Sequence, residues 1–250
     1  MIPNPIHKVL STLSTHEVQY LLMGGQACVF YGAAEFSRDC DVVILCESRN
    51  LERLQAALGE LDAKPIAVPP LRPEYLERGH AVHFRCQAPE AAGIRVDVMS
   101  KMRCVAPFEE LWARRTTLGD AVGGRIELIS LSDLVAAKKT QRDKDWPMIR
   151  RLVEAHFSGH EHCATDEQIE FWLRESRTPS ILLQLAAENS QAVEKLKLIR
   201  PLLQHAMAGD ADQIAVALAG EEKQERDADR EYWKPLRREL EELRRNRNIK

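Results

Sequence analysis

No run of apolar residues in this 250-residue chain approaches the ~20 needed to cross a bilayer. The N-terminal Met1-Ile2-Pro3-Asn4-Pro5 also lacks the basic-then-apolar order of a signal peptide. Both absences predict a protein that stays in the cytoplasm, away from membranes. Pairing signals for cysteine are missing too: Cys28, Cys40, Cys46, Cys86, Cys104 and Cys163 show no C-x-x-C spacing. Most lie in apolar segments, where a thiol behaves as a small hydrophobe, so reduced thiols are expected. An excess of positive charge is lacking as well. A net charge of -3 and a pI near 6.3 exclude a surface coated for indiscriminate nucleic-acid binding, though not a local basic groove. No internal repeat of fixed period is present.

What is there is a globular composition, with 44% hydrophobic and 29% charged residues and a mean hydropathy of -0.35. This length buries a proper core and suits two domains. Ile6, Val9, Leu10 and Leu13 recur at helical spacing over residues 5–16. Val18 to Met23 reads as a short buried strand ending at Gly24-Gly25, followed by a helix over Gln26 to Tyr31. Asp41 to Cys46 reads as a second strand, with Ser48 as the N-cap of a helix over Leu51, Leu54, Ala57, Leu58 and Leu61. Pro65, Pro69, Pro70 and Pro73 forbid a long regular element between Ala63 and Arg78, which predicts an irregular connection there. Ala81 to Cys86 and Ile94 to Met99 suit an antiparallel hairpin, and Arg125 to Ile129 a fifth strand after Gly123-Gly124.

From Ser130 the pattern turns helical. One helix is expected over Leu131, Leu134, Val135, Lys138 and Lys139, and a second from near Asp145 to Phe157. Ser158 to Thr165 reads as a linker. Beyond it lie only helical segments: Asp166 to Glu175, Ser180 to Glu188, Ser190 to Met207, Ala211 to Leu218, and a charged tail from Glu221 to Arg247. The expected division is therefore residues 1–157, a linker 158–165, and a helical domain 166–250.

The informative acids are Asp39, Asp41 and Asp97. Successive side chains of an extended segment point to opposite faces, so Asp39 and Asp41 project together while Cys40 points away. In Arg95-Val96-Asp97-Val98-Met99 the same alternation buries the valines and turns Asp97 to the other face. If these strands are neighbours, three carboxylates converge. Like charges held close need a cation, and hard oxygen ligands suit magnesium, which takes one or two carboxylates plus water and phosphates. Two such ions would clamp the attacking and leaving oxygens of a nucleotidyl transfer. Gly24-Gly25 at a helix N-terminus lets backbone N–H groups approach a triphosphate. Taken singly, a glycine pair is also a plain turn and such acids also occur as solvated strand starts; their order and spacing together favour chemistry.

Gly24-Gly25, then Arg38-Asp39-Cys40-Asp41, then Asp97 in an apolar strand resembles the polymerase-β-type nucleotidyltransferase superfamily, whose pattern is a glycine pair, an acid-x-acid and a later third acid. Leu134-Val135-Ala136-Ala137-Lys138-Lys139 followed by Arg142-Asp143-Lys144-Asp145 is similar to its bacterial AbiEii-type group, some of whose members are toxins. The resemblance covers residues 15–155. It implies an α+β fold, a mixed sheet with flanking helices, ahead of the helical domain. It also implies magnesium on Asp39 and Asp41, with Asp97 as a further ligand or as base for the acceptor hydroxyl. Gly24, Gly25, Gln26 and Arg38 would then line the nucleotide site, with Lys138 or Lys139 and Asp145 at the later motifs. The implied reaction moves a nucleoside monophosphate from a triphosphate such as ATP to the hydroxyl of RNA, protein or a small molecule; a cognate antitoxin is an implied partner. Many members carry serine after the first glycine, whereas Gly25 and Gln26 stand here. That departure leaves a second reading: a nucleotide-binding or partner-binding module of the same fold without turnover.

Other residues have two readings each. Arg38 either holds a phosphate or balances the acids beside it. His156, His160, His162 and Cys163 are zinc-type ligands, but their spacing equally describes a polar linker. His80 and His83 flank a strand and read as packing or surface residues. In the tail, Trp233, Leu236, Leu240 and Leu243 form an apolar stripe for packing. Arg237, Arg238, Arg244, Arg245 and Arg247 make a local basic run that would suit RNA or a partner.

Overall fold

A computed structural model describes residues 4–119 and 125–248. The Gly123-Gly124 turn expected before the last strand lies outside the described residues. The chain divides into two compact units. The first takes in the residues up to Phe30, Ala34–Ala137 and the last helix from Tyr232 on; the second comprises Tyr31–Ala33 and Lys138–Glu231.

In the first unit the elements run α1 (Asn4–Thr15), β1 (Tyr20–Met23), α2 (Gly24–Phe30), β2 (Asp39–Ile44), α3 (Ser48–Glu60), β3 (Lys64–Pro65), α4 (Pro73–Arg78), β4 (Val82–Arg85), β5 (Arg95–Met99), α5 (Phe108–Ala113), β6 (Thr116–Gly119), β7 (Arg125–Leu128) and α6 (Leu131–Ala137). The seven strands form one mixed sheet in the order β3-β4-β5-β2-β1-β7-β6. Pairs β1–β2, β3–β4, β4–β5 and β6–β7 are antiparallel, whereas β2–β5 and β1–β7 are parallel. The fold is α+β, as expected.

The core follows from the periodicities. Ile6, Val9, Leu10 and Leu13 of α1 are buried, and α1 packs on α3 and β2. Tyr20, Leu21 and Leu22 of β1 and Val42, Val43 and Ile44 of β2 are buried as continuous apolar runs, the mark of central strands. Buried Asn50 on α3 satisfies its amide on the Gln19 N–H at 2.7 Å, the Gln19 carbonyl at 3.0 Å and the Leu45 carbonyl at 2.8 Å. It thereby ties the start of β1 to the end of β2.

Four expectations for this unit need correction. The second strand, expected over Asp41 to Cys46, begins two residues earlier and ends two residues earlier, at Asp39 and Ile44, so that both acids lie within it. Ser48 is the first residue of α3, and the cap position belongs to Glu47, with no side-chain cap bond. The proline-rich connection contains the short helix α4, which starts on Pro73, where the missing N–H costs nothing. Lys138 and Lys139 do not lie on a helix, because α6 ends at Ala137.

The second unit is helical: α7 (Asp145–His160), α8 (Asp166–Glu175), α9 (Pro179–Glu188), α10 (Ser190–Leu196), α11 (Leu203–Met207) and the first part of α12 (Ala211–Asn248). The expected Ser190–Met207 helix is two, broken around Pro201, and the two terminal segments fuse into one 38-residue helix with Pro235 inside it. Trp172, Leu173, Leu182, Leu185, Val193, Leu196, Leu203 and Ile214 form its core. Buried Arg200 donates to the Leu173 and Ser176 carbonyls at the end of α8, both at 2.9 Å, and makes a fork on Glu221 at 2.9–3.0 Å. Ser158–His160 continue α7, and Glu161–Cys163 form a 3-10 turn. Among the described residues no helix is long and apolar enough to cross a membrane.

Candidate functional site

Register decides what the sheet brings together. Across β1, β2, β5 and β4 one row reads Met23, Asp41, Asp97, His83, each opposite the next. The neighbouring row reads Asp39, Arg95, Arg85. Alternation sends Cys40, Val96 and Val98 into the core and leaves Asp39, Asp41, Arg95, Asp97 and His83 on the opposite, partly exposed face. The three acids predicted to converge therefore sit on adjacent positions of two neighbouring parallel strands.

At the strand spacing of roughly 5 Å, two bare carboxylates in this half-buried setting repel by about 1–3 kcal/mol. Side chains on the same face answer that repulsion. Arg95 Nε donates to Asp97 Oδ1 at 2.7 Å, and His83 Nδ1 lies 2.8 Å from the same oxygen. Arg95 Nη2 also stands 3.0 Å from His83 Nδ1. One ring nitrogen cannot hold a proton toward Asp97 and a lone pair toward Arg95 at once, so those two contacts are alternatives. Burial alone would raise the Asp97 pKa, but the bonds from His83 and Arg95 reverse this and hold it below the usual carboxylate range. Burial likewise acts to lower the Arg95 pKa, and the bond to Asp97 with the charges of Asp97, Asp39 and Asp41 outweighs it. Behind the acids, burial drives the Cys40 thiol far up, with the Asp41, Cys86, Asp97 and Asp39 charges adding to the effect. That thiol stays protonated and takes no part in the site.

The glycine pair is pressed onto the same face. Gly24 has φ +67°, and a Cβ there would lie 1.9 Å from Asp41 Oδ2 and 2.6 Å from Asp41 Cβ. Only glycine permits that approach. The Gly25 N–H points at Asp41 Oδ2 from 3.4 Å, and a Cβ on Gly25 would meet Ser37 Oγ at 2.7 Å. The Ser37 hydroxyl in turn donates to the Asp39 carbonyl at 3.3 Å. A serine hydroxyl thus stands beside the glycine turn, supplied by the loop before β2. Gln26 is buried, and its Oε1 has no hydrogen-bond partner. Arg38 is exposed, with its guanidinium 5.9 Å from the ring centroid of exposed Phe36.

Lys138, Lys139 and Asp145 belong to the helical unit and are engaged there. Buried Asp145 accepts from Thr140 Oγ1 at 2.6 Å and Arg142 Nε at 2.7 Å, with buried Lys138 Nζ 3.6 Å away. Lys139 pairs with Glu175 at 2.7 Å. His156 Nδ1 accepts from Trp172 Nε1 at 2.9 Å and its ring stacks on His160, while His162 and Cys163 are exposed. His156 and His160 pack at the junction of α7 with α8. In the tail, Leu236 is buried, Arg237, Arg238, Arg244 and Arg245 are exposed, and Glu239 bonds Arg78 and buried His80, both at 2.7 Å. The Arg247 side chain lies outside those described.

Among the described residues no three His, Cys, Asp or Glu side chains converge as a ready metal cage. Magnesium does not need one, since it keeps waters and substrate phosphates around one or two carboxylates. Asp39 and Asp41, two partly exposed carboxylates on one face of β2, fit such an ion; Asp97 is committed to Arg95 and His83. Arg95, His83 and Ser37 were missed as site residues. Alternation along β5 already places Arg95 on the Asp97 face, whereas His83 and Ser37 enter through pairing and loop packing, which leave no mark in local sequence.

No protein-family model matches this chain, and no protein of curated function is similar to it in sequence. Among solved structures it is similar to one described as a "putative nucleotidyltransferase from H. pylori", at a TM-score of 0.40 and 13% identity, over 88% of this chain and 92% of that one. A likeness at that level says nothing about chemistry.

Proposed function

We propose that this chain is a magnesium-dependent nucleotidyltransferase that moves a nucleoside monophosphate from a nucleoside triphosphate to an acceptor hydroxyl. The observation that carries the reading is the alignment of Asp39, Asp41 and Asp97 on one face of two parallel strands, with Gly24 packed against the Asp41 carboxylate. Asp39 and Asp41 are the residues that would hold the metal. Magnesium supplies neutralisation of triphosphate charge and polarisation of the reacting phosphoryl group when bound. Asp97, held as a carboxylate by its neighbours, takes the proton of the acceptor hydroxyl. The acceptor oxygen bonds to the α-phosphorus, the bond to the bridging oxygen breaks, and pyrophosphate leaves with that electron pair. Backbone N–H groups of Gly24 and Gly25, with Arg38 at the rim, bind phosphate oxygens. Assignment to the AbiEii-type group rests on the sequence resemblance at Leu134 to Lys139 and Arg142 to Asp145, and a cognate antitoxin belongs to that same reading.

Calorimetry of the full chain with magnesium and a nucleoside triphosphate tests the site. Binding is expected to vanish in Asp39→Asn/Asp41→Asn while the fold survives, and unchanged binding in that double variant would sink the assignment. The engagement of Asp97 by Arg95 and His83 favours one rival, a nucleotide-binding module without turnover. Labelled triphosphate with total cell extract separates the two: labelled RNA, protein or small molecule that appears only with Asp97 intact excludes the rival.

A further inference from the structure

We infer that Arg95 is a resident counter-cation of the acid cluster that competes with the divalent metal, so that the guanidinium gives up its bond to Asp97 Oδ1 as a metal enters the cluster. The inference rests on the functional reading above and adds a residue which that reading does not use.

Three observations converge on it. Arg95 precedes Asp97 by two residues on the same face of β5 and stands opposite Asp39 of β2, so its charge is delivered among all three acids. Its Nε and the His83 ring both engage Oδ1 of Asp97, which leaves that oxygen no capacity for a further strong partner. The Arg95 side chain keeps 36% of its surface in solvent, against 15% for Asp97. A flexible stem with that freedom can turn outward without opening the core. Arg95 is thus drawn in by the acids while its stem stays free to turn, a balance that arriving positive charge would tip.

Manganese binding to the full chain without nucleotide, read as loss of the free-ion paramagnetic resonance signal, tests the competition directly. Removing one charge-assisted donor set from the cluster should tighten binding about tenfold in Arg95→Gln. Arg95→Lys, which keeps the charge but not the fork, should stay within about threefold of wild type. In the wild-type chain, the Arg95 Nε–H resonance should be protected from solvent exchange without metal and lose that protection as magnesium is added. Binding that is unchanged or weaker in folded Arg95→Gln overturns the inference, as does protection that persists at saturating magnesium. If Arg95→Gln does not fold, the wild-type exchange measurement decides alone. Manganese binding that survives Asp39→Asn/Asp41→Asn removes the metal site itself, and this inference with it. An unchanged Arg95→Gln where that double variant does abolish binding removes the inference only.

Discussion

Substituting alanine at Gly24 and at Gly25 separates two glycines that look interchangeable in sequence. At Gly24 the backbone is left-handed, φ +67°, which costs a residue with a Cβ about 1–2 kcal/mol. The new methyl would also lie within 2.6 Å of three Asp41 side-chain atoms, Cβ included. Rotating the carboxylate cannot relieve a contact with Cβ, so β2 or the turn must shift, at an overpacking cost of about 1–3 kcal/mol. Together Gly24→Ala should destabilise the sheet unit by about 2–5 kcal/mol and displace the Asp41 carboxylate. At Gly25 no left-handed strain applies. The obstacle is Ser37 Oγ at 2.7 Å, the end of a rotatable side chain, and alanine gains about 0.5–1 kcal/mol over glycine in a helix. Gly25→Ala should therefore fall within about 1 kcal/mol of wild type. Native-state hydrogen exchange of the β1 and β2 amides reads the sheet unit specifically, and calorimetry reads magnesium–nucleotide binding. If Gly24→Ala matches wild type in both, Gly24 is not pressed against a functional carboxylate and the reasoning fails.

Two further outcomes are open to measurement. Because Asp97 has a folded pKa below its ordinary value, its charged form stabilises the sheet unit above the unfolded pKa, near 3.8. That contribution is lost as pH falls from there through the folded value. Stability of the sheet unit should consequently fall less steeply below about pH 4 in Asp97→Asn than in wild type, as followed by urea titration at stepped pH; equal slopes would refute the linkage. In the helical unit, Arg200→Met leaves the Leu173 and Ser176 carbonyls without their buried donor and Glu221 with Arg177 alone. A loss of about 3 kcal/mol is expected, read by fluorescence of buried Trp172, and a loss under about 1 kcal/mol would mean that water replaces the donor and that the Arg177 bond suffices for Glu221.

Sequence and structure agree where a strand carries its own two-sided pattern. β1, β2, β4, β5 and β7 were all legible because apolar positions either alternate with polar ones or run on unbroken toward the sheet centre. β6 was not, since Thr116–Gly119 buries no side chain and offers no apolar face to detect. The two-residue β3 includes Pro65, which reads as a breaker, yet the strand lies at the sheet edge, where a missing N–H is tolerated. Helix α12 was divided in sequence at Gly220, a residue that usually ends helices. Along it, buried Ile214, Leu218, Asp229 and Leu236 recur from one end toward the other, and packing at these positions overrides one glycine. Lys138 and Asp145 show the opposite limit: buried and close together, they shape a turn in the helical unit, a role that spacing alone does not distinguish from phosphate binding.

The site divides along the same line, and the division explains what kind of inference each half supports. Asp39, Asp41 and Asp97 could be read because alternation is local and assigns a face to each acid. That β2 and β5 are neighbours, in parallel and with Asp41 opposite Asp97, depends on a crossover over residues 45–94 that no local pattern encodes. The partners of the acids then follow from strand geometry: alternation along β5 puts Arg95 on the face of Asp97, and the β4–β5 pairing sets His83 opposite it. The sequence thus exposes where negative charge is gathered, whereas the structure exposes what balances it. A cluster already balanced by an arginine differs physically from one awaiting a metal. On the proposed reading, entry of a divalent ion would be an exchange of one cation for another rather than the filling of a vacancy, and its affinity would depend on Arg95 as well as on the acids.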